Sequence, residues 1–193
     1  YQTHLKIFFN HNGTNGTPTD MYYIDDLMFL PAPCDEPIIE NCSNVVQNYN
    51  IISDWNCQQN YGIETTVPSV LNPLISCNNR SEYVGQYTDD GTEAYDAFIL
   101  NYGSIINLNT HNKLKFKLYS SSSIQVLAKL EGGSAIEKWS DFSAVNTWQE
   151  FSYDFSDSID NENTTLVLFF NAGQNNGNPE AVSYTHLRAN ETN

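Results

Sequence analysis

The sequence has few basic residues. Only 8 Lys and Arg stand against 23 Asp and Glu, which gives a formal net charge of −15 at pH 7. Nucleic acids and anionic membrane surfaces are bound through basic faces, so this balance argues against both partners. An acidic chain is compatible with calcium and with neutral ligands such as sugars, although an acidic surface also simply keeps a protein soluble.

Long apolar runs and a leader segment are missing as well. No run of 18 apolar residues exists, so the sequence predicts no membrane insertion. The chain begins with YQTHLKIFFN, without a Met or a basic leader region. We therefore expect the true N-terminus to lie upstream.

Catalytic motifs are also absent from the sequence. It contains no GxSxG, HExxH, P-loop or GxGxxG pattern. Glycosidases need two carboxylates fixed about 5–10 Å apart in a cleft, and no spacing here selects such a pair. We predict a protein that is not itself an enzyme, or a non-catalytic piece of a larger glycoside hydrolase.

Four cysteines are present, at 34, 42, 57 and 77. An even number in an acidic, Asn- and Ser-rich chain suggests an oxidising compartment and leaves three disulfide pairings open. We favour the two short loops, Cys34–Cys42 and Cys57–Cys77. A zinc site is the alternative, but there is no CxxC pattern and no His lies near the cysteines.

The sequence repeats itself at an offset of 161 residues. Residues 2–19 align with 163–180 without gaps, and both copies read as an apolar strand followed by an Asn- and Gly-rich loop that ends in Pro. Eight of the 18 aligned positions are identical: Thr3/Thr164, Leu5/Leu166, Phe8/Phe169, Phe9/Phe170, Asn10/Asn171, Asn15/Asn176, Gly16/Gly177 and Pro18/Pro179. The copies therefore indicate two tandem modules.

The repeat predicts the organisation of the chain. Residues 1–31 are expected to be the last two strands of a preceding module, residues 32–44 a Pro-bearing linker, and residues 45–181 a second module that lacks its last strand. The tail 182–193 has no strand pattern, and VSYTHLRANET resembles the translation of a sequencing adapter. We interpret it as an artefact, with a short disordered tail as the alternative.

Alternating apolar residues predict a sheet protein. In KLKFKLY (113–119) the apolar residues lie on one face and the lysines on the other, and the pattern resumes at Ile124 after a serine turn, as in a hairpin. Strands are also predicted at 95–100, 148–155 and 165–170. Short strands, polar turns and no helical period indicate an all-β fold, an antiparallel β-sandwich.

The order of these strands resembles a known family. NPLISCNNRSEYVGQYTDDGTEAYDAFIL, then KLKFKLYS, VLAKLEG, NTWQEFSYDFS and LVLFFNAG, are similar to the jelly-roll, carbohydrate-binding-module-like domains of secreted Bacteroidetes polysaccharide-active proteins. The likeness covers about residues 45–180 and, for the final strands, 5–30. It implies a galactose-binding-like jelly roll, a secreted or cell-surface location, binding of a polysaccharide or oligosaccharide, neighbouring modules in cis, and structural calcium.

Two acidic residues in YYIDDLMF (22–29) are the candidate calcium ligands. Both faces of this predicted strand are apolar, so at least one of Asp25 and Asp26 should be drawn from water, and a cation would offset that cost. The resemblance adds first-strand positions, where Asn48 and Asn50 stand in place of acids. The alternative is that both carboxylates lie at a strand end in water.

Exposed aromatic rings are the candidate sugar contacts, because a ring can stack on the C–H face of a pyranose. The candidates are Trp139, Trp55, Tyr87, Tyr95 and Tyr102. Trp148 leads into a strand, and we count it as core. Trp139 lies in the polar stretch EKWSDF, so we expect it to be more exposed than the others, with a loop-anchoring role as the alternative. The whole module could also be a structural or adhesive spacer without a sugar site.

One structural prediction follows from the missing last strand. A vacant place leaves the edges of its neighbours unpaired. In the repeat, residues 21–30 are the equivalent strand, so we predict that they fold back into this place.

Overall fold

The computed structural model describes residues 34, 36–39, 55, 65, 67–89 and 93–174, and the backbone alone of residues 51–53 and 180–190. The chain divides into two compact units, Tyr1–Ala32 and Pro33–Asn193. All described residues belong to the second unit.

Ten strands and one short 3-10 helix make up the described structure. The strands are β1 (Ile51–Ser53), β2 (Ser69–Leu71), β3 (Tyr83–Asp89), β4 (Phe98–Asn101), β5 (Lys113–Ser120), β6 (Ile124–Glu131), β7 (Ile136–Phe142), β8 (Trp148–Asp154), β9 (Thr165–Phe170) and β10 (Glu180–Asn190), with the helix at Ser156–Asn161. Sheet 1 has the order β2-β3-β10-β5-β8, with β1 also paired to β10, and sheet 2 has the order β4-β9-β6-β7. The strands of both sheets pair antiparallel, which confirms the predicted β-sandwich.

Alternating side chains build the core between the sheets. On β5 the apolar positions are buried and the lysines lie outside, as the pattern predicts. The Phe116 ring stacks on Phe151 within sheet 1 at 5.3 Å and meets Phe170 of sheet 2 edge-on at 6.5 Å. Tyr153 reaches across the layer, its hydroxyl donating to the Val126 carbonyl at 3.3 Å. Two inner faces that interdigitate in this way hold a sandwich together.

The predicted hairpin of β5 and β6 is wrong. β5 and β6 do not pair with each other: β5 lies in sheet 1 and β6 in sheet 2, so the serine turn crosses between the layers. β3 and the next strand along the chain, β4, likewise lie in different sheets. The alternation is the same for two strands of one hairpin and for two strands of facing sheets. From β3 onward most connections change sheet, as in a jelly roll.

The tail is a strand, although its sequence predicted none. β10 lies between β3 and β5 and pairs with both. It occupies the place that we predicted for residues 21–30, which lie outside the described residues. Strand pairing satisfies backbone N–H and C=O groups, which nearly every residue has, so two open edges can order a segment without apolar alternation. The adapter origin of residues 182–193 stays a prediction.

The disulfide pairing that we favoured is wrong as well. Cys34 is joined to Cys77, across a separation of 43 residues. The arm after Cys34 is held to the loop 76–81 by backbone contacts, with Ile38 N–H donating to the Arg80 carbonyl at 2.8 Å. Short sequence spacing suggested local loops, whereas the fold brings this arm and this loop together.

The loop 72–81 covers part of the outer face of sheet 1. Trp148 points to that face and is only 3% exposed, and its Nε1–H donates to the Leu74 carbonyl at 2.8 Å. This burial confirms that Trp148 is a structural residue. The disulfide thus fixes an arm on the covered side of the sandwich.

The Cys34–Cys77 bond gives a first testable prediction. The double variant Cys34→Ser/Cys77→Ser should lose about 2–4 kcal/mol of unfolding free energy, because the bond restricts a long loop of the unfolded chain. Urea denaturation measures the loss. Proteolysis without reduction, followed by mass spectrometry, should yield a cross-linked peptide containing both residues. Recovery of Cys34 linked to Cys42 would contradict the structure.

A second prediction concerns Gly85 of β3. A Cβ atom there would lie 2.6 Å from Nε1 and 2.8 Å from Cδ2 of the Trp55 ring, which is 1% exposed. Gly85→Ala should therefore destabilise the fold by about 1–3 kcal/mol, the usual cost of overpacking a core. Thr88→Ala, at an exposed position of the same strand, is the control and should change stability by less than about 0.5 kcal/mol. Equal urea midpoints for the two variants would contradict this packing.

Candidate functional site

The structure separates the five candidate rings into buried and exposed groups. Trp55 and Tyr87 are 1% and 5% exposed and belong to the core, so neither ring can stack on a ligand in this conformation. Tyr102 is half-buried against the core and lines a small apolar cavity at one end of the sandwich. Trp139 and Tyr95 are 49% and 66% exposed.

The sequence contained a signal for one of the two buried rings. Tyr87 shares a face of β3 with Gly85, two positions away, and this face points inward. The ring of Tyr87 meets Phe170 of the opposite sheet at 5.4 Å. Trp55 lies outside any regular strand and is buried because Gly85 leaves room for it, a long-range fit that no local pattern shows.

Trp139 belongs to a row of apolar side chains across the outer face of sheet 2. In the strand registers Trp139 of β7 is opposite Leu127 of β6, and Leu127 is opposite Phe169 of β9. Neighbouring strands lie about 4.8 Å apart, so the backbones of Trp139 and Phe169 are roughly 10 Å apart. Leu127 is 3% exposed between the two rings.

Tyr95 extends this row beyond Phe169. Its ring meets the Phe169 ring edge-on, with centroids 6.3 Å apart. The backbone beside it is fixed, since Gly173 N–H donates to the Ala94 carbonyl at 2.7 Å. A Cβ atom on Gly173 would lie 3.6 Å from the Tyr95 hydroxyl. We call the four side chains Trp139, Leu127, Phe169 and Tyr95 the outer row.

Polar groups lie along one side of the outer row. Gln125 is opposite Asp141 in the register, and its amide donates to the Asp141 carboxylate at 3.3 Å. Asn171 N–H donates to the Gln125 carbonyl at 2.7 Å, which holds the turn after β9 against β6. With Ser143 and Gln174, these residues line an open recess of about 610 Å³.

Charged groups lie along the other side. The Lys129 ammonium is 2.8 Å from the Glu131 carboxylate and 3.4 Å from that of Glu137. The hydrogen bond to Glu131 is the main cause that raises the pKa of Lys129 above its ordinary value, so the lysine stays charged at neutral pH. These side chains are part-exposed, so the pairs are screened and contribute little to stability.

Sequence reasoning missed Phe169 and Leu127. Phe169 stands in a strand that is apolar on both faces and lies between β4 and β6 in sheet 2. Leu127 is the one apolar residue on the outer face of β6. When both faces of a strand are apolar, the sequence cannot tell whether the outer face is covered by other parts of the protein or open to solvent. The cross-strand register that puts Phe169 in line with Trp139 is a tertiary property.

The candidate calcium ligands Asp25, Asp26, Asn48 and Asn50 lie outside the described residues. Within the described part of the chain, no group of three or more His, Cys, Asp or Glu side chains could hold a metal ion. None of its helices is long and apolar enough to cross a membrane.

Comparisons with known proteins bear on the fold. No family model and no curated protein sequence matches the chain. An exo-β-agarase structure matches with a TM-score of 0.57 and 11% identity over 75% of this chain, which spans 25% of the agarase chain. Matches with lower TM-scores include the family 11 carbohydrate-binding module of a Clostridium thermocellum cellulase (0.46, 11% identity, 68% of this chain and 84% of that one) and a family 29 module mutant (0.47, 14%, 72% and 89%). The agarase likeness supports the β-sandwich.

The exposure of the three tryptophans is directly measurable. Trp139 is half exposed, while Trp55 and Trp148 are buried, so only one of the three indoles should be reached by iodide in solution. Trp139→Phe should remove the quenchable part of the fluorescence. Trp148→Phe is the control and should keep it. Quenching that persists in Trp139→Phe would contradict the placement of the outer row.

Proposed function

We propose that this module binds carbohydrate on the outer row of sheet 2 without catalysing a reaction. The observation that carries the proposal is the alignment of Trp139, Phe169 and Tyr95 across the outer face of sheet 2, with Leu127 of β6 between the first two and polar side chains along the edge. Exposed apolar patches with a polar border are typical of binding surfaces.

The apolar part of this surface suits the faces of sugar rings. Trp139 and Tyr95 leave about half or more of their surface in water. Stacking a ring on the C–H face of a pyranose removes apolar surface of both partners from water, at roughly 25 cal/mol per Å². Leu127 fills the space between the rings, which makes the row continuous.

The polar side supplies groups that sugar hydroxyls need. Each hydroxyl can donate and accept a hydrogen bond. A side-chain amide can both accept from it and donate to it, whereas a carboxylate can only accept. Gln125 and Asp141 already bond to each other, which reduces the freedom that they would lose on binding. Asn171 and Gln174 extend the same edge.

The shape of the surface favours the interior of a chain over its end. The outer row runs across the strands in the open, and the recess beside it is open as well. From Trp139 past Phe169 to Tyr95 it extends roughly 15 Å, about three strand spacings. We infer that the ligand is a polysaccharide segment lying across the strands of sheet 2.

The setting of the module completes the proposal. A disulfide such as Cys34–Cys77 is typical of proteins outside the reducing cytosol, so we place the module at the cell surface or in secreted form. The match to part of an agarase chain supports attachment to, or work beside, a polysaccharide-degrading enzyme.

Trp139→Ala tests the proposal. Binding to immobilised β-glucans, xylan, mannan, agarose and alginate is measured, and the variant should weaken the best interaction at least tenfold, about 1.4 kcal/mol, as expected of an aromatic anchor. Leu71→Ala is the matched control, because Leu71 is 67% exposed on β2, at the edge of the other sheet.

Two results would overturn the proposal. If no glycan is bound, the module is better described as a structural or adhesive spacer. If binding exists but Trp139→Ala and Leu71→Ala behave alike, the sugar site lies elsewhere.

A further inference from the structure

We infer that the outer row selects uncharged glycan chains and rejects chains that carry carboxylates or sulfates. The inference rests on the proposed function and adds the class of ligand. It follows from the charges that border the row, not from the rings, which would stack on neutral and acidic sugars alike.

The strands of sheet 2 present more acid than base on their outer face. Their outward charged residues are Lys129 and Glu131 of β6 and Glu137 and Asp141 of β7, one base against three acids. Lys138 of β7 is opposite Ala128, which is buried in the core, and its ammonium is bound to Asp157 at 2.9 Å. The described strands β4 and β9 carry no charged residue.

The one outward base is already neutralised. Glu131 and Glu137 hold the Lys129 ammonium at 2.8 and 3.4 Å, so an anionic sugar would have to displace a carboxylate to reach it. On the opposite side of the row, Asp141 faces the recess beside Gln125. A ligand on the row therefore lies between an ion-paired cluster with an excess negative charge and a further carboxylate.

The carboxylates beside the outer row lie close enough to repel an anionic ligand bound there. Glu137 and Asp141 are each two residues from Trp139 on β7, about 7 Å along the strand. The Debye length is about 8 Å at 0.15 M salt and about 30 Å at 0.01 M, so their charge acts on a ligand stacked on Trp139. The net charge of −15 adds repulsion of the same sign over longer distances.

The test uses the polysaccharide that binds best in the panel above, modified in two ways to the same degree. Carboxymethyl groups add negative charge, and hydroxyethyl groups of similar size add none. At about 10 mM salt the carboxymethyl form should bind roughly fivefold more weakly than the hydroxyethyl form. The difference should shrink as salt rises, because screening removes it.

Charge variants locate the effect. Glu131→Gln/Glu137→Gln frees Lys129 and should remove more than half of the discrimination against the carboxymethyl form. Glu150→Gln removes one negative charge from the outer face of sheet 1 and should leave the discrimination unchanged.

The outcomes separate the two proposals. Equal binding of both derivatives, or alginate as the best ligand of the panel, would overturn the charge selectivity, while loss of binding in Trp139→Ala would still support the glycan site. If Trp139→Ala binds every glycan like the unmodified protein, the proposed site itself is wrong. A discrimination that Glu150→Gln abolishes would assign the selectivity to net charge and would overturn the role of the border.

Discussion

The structure depends on the apolar layer between the two sheets. Phe116 stacks on Phe151 and Tyr153 within sheet 1 and meets Phe170 of sheet 2. The alternation of each strand decides which side chains join this layer. Once these positions point inward, the intervening residues must point outward. The composition of the outer face of sheet 2 is therefore a consequence of core formation. Its aromatic side chains reach solvent because their positions alternate with the core positions along the strands.

The two outer faces differ in what covers them. On sheet 1 the loop 72–81 lies over Trp148 and is tied by a disulfide to the arm after Cys34. On sheet 2 Trp139 and Tyr95 stay exposed, at 49% and 66%. Leaving such rings in water forgoes burial free energy, and this is the physical basis of the binding surface proposed above.

β10 shows that a central strand can form without apolar alternation in its sequence. Residues 182–191 correspond to 21–30 in the repeat, so the repeat identifies this place as that of a strand. The tail carries no apolar alternation, yet its backbone pairs with β3 and β5. Backbone pairing with both neighbours sets the place and the direction of the strand.

The sequence by itself determined the fold class and most strand positions, because period-two alternation is local. The polar stretch around Trp139 also indicated that this ring is exposed, whereas the cover of the loop 72–81 over Trp148 is tertiary. Only the tertiary structure decided that β5 and β6 face each other across the layer, that Cys34 joins Cys77, and that Trp55 is buried under Gly85. The same holds for the outer row. Its members come from four separate segments, and register between strands, which no single segment encodes, brings them into line.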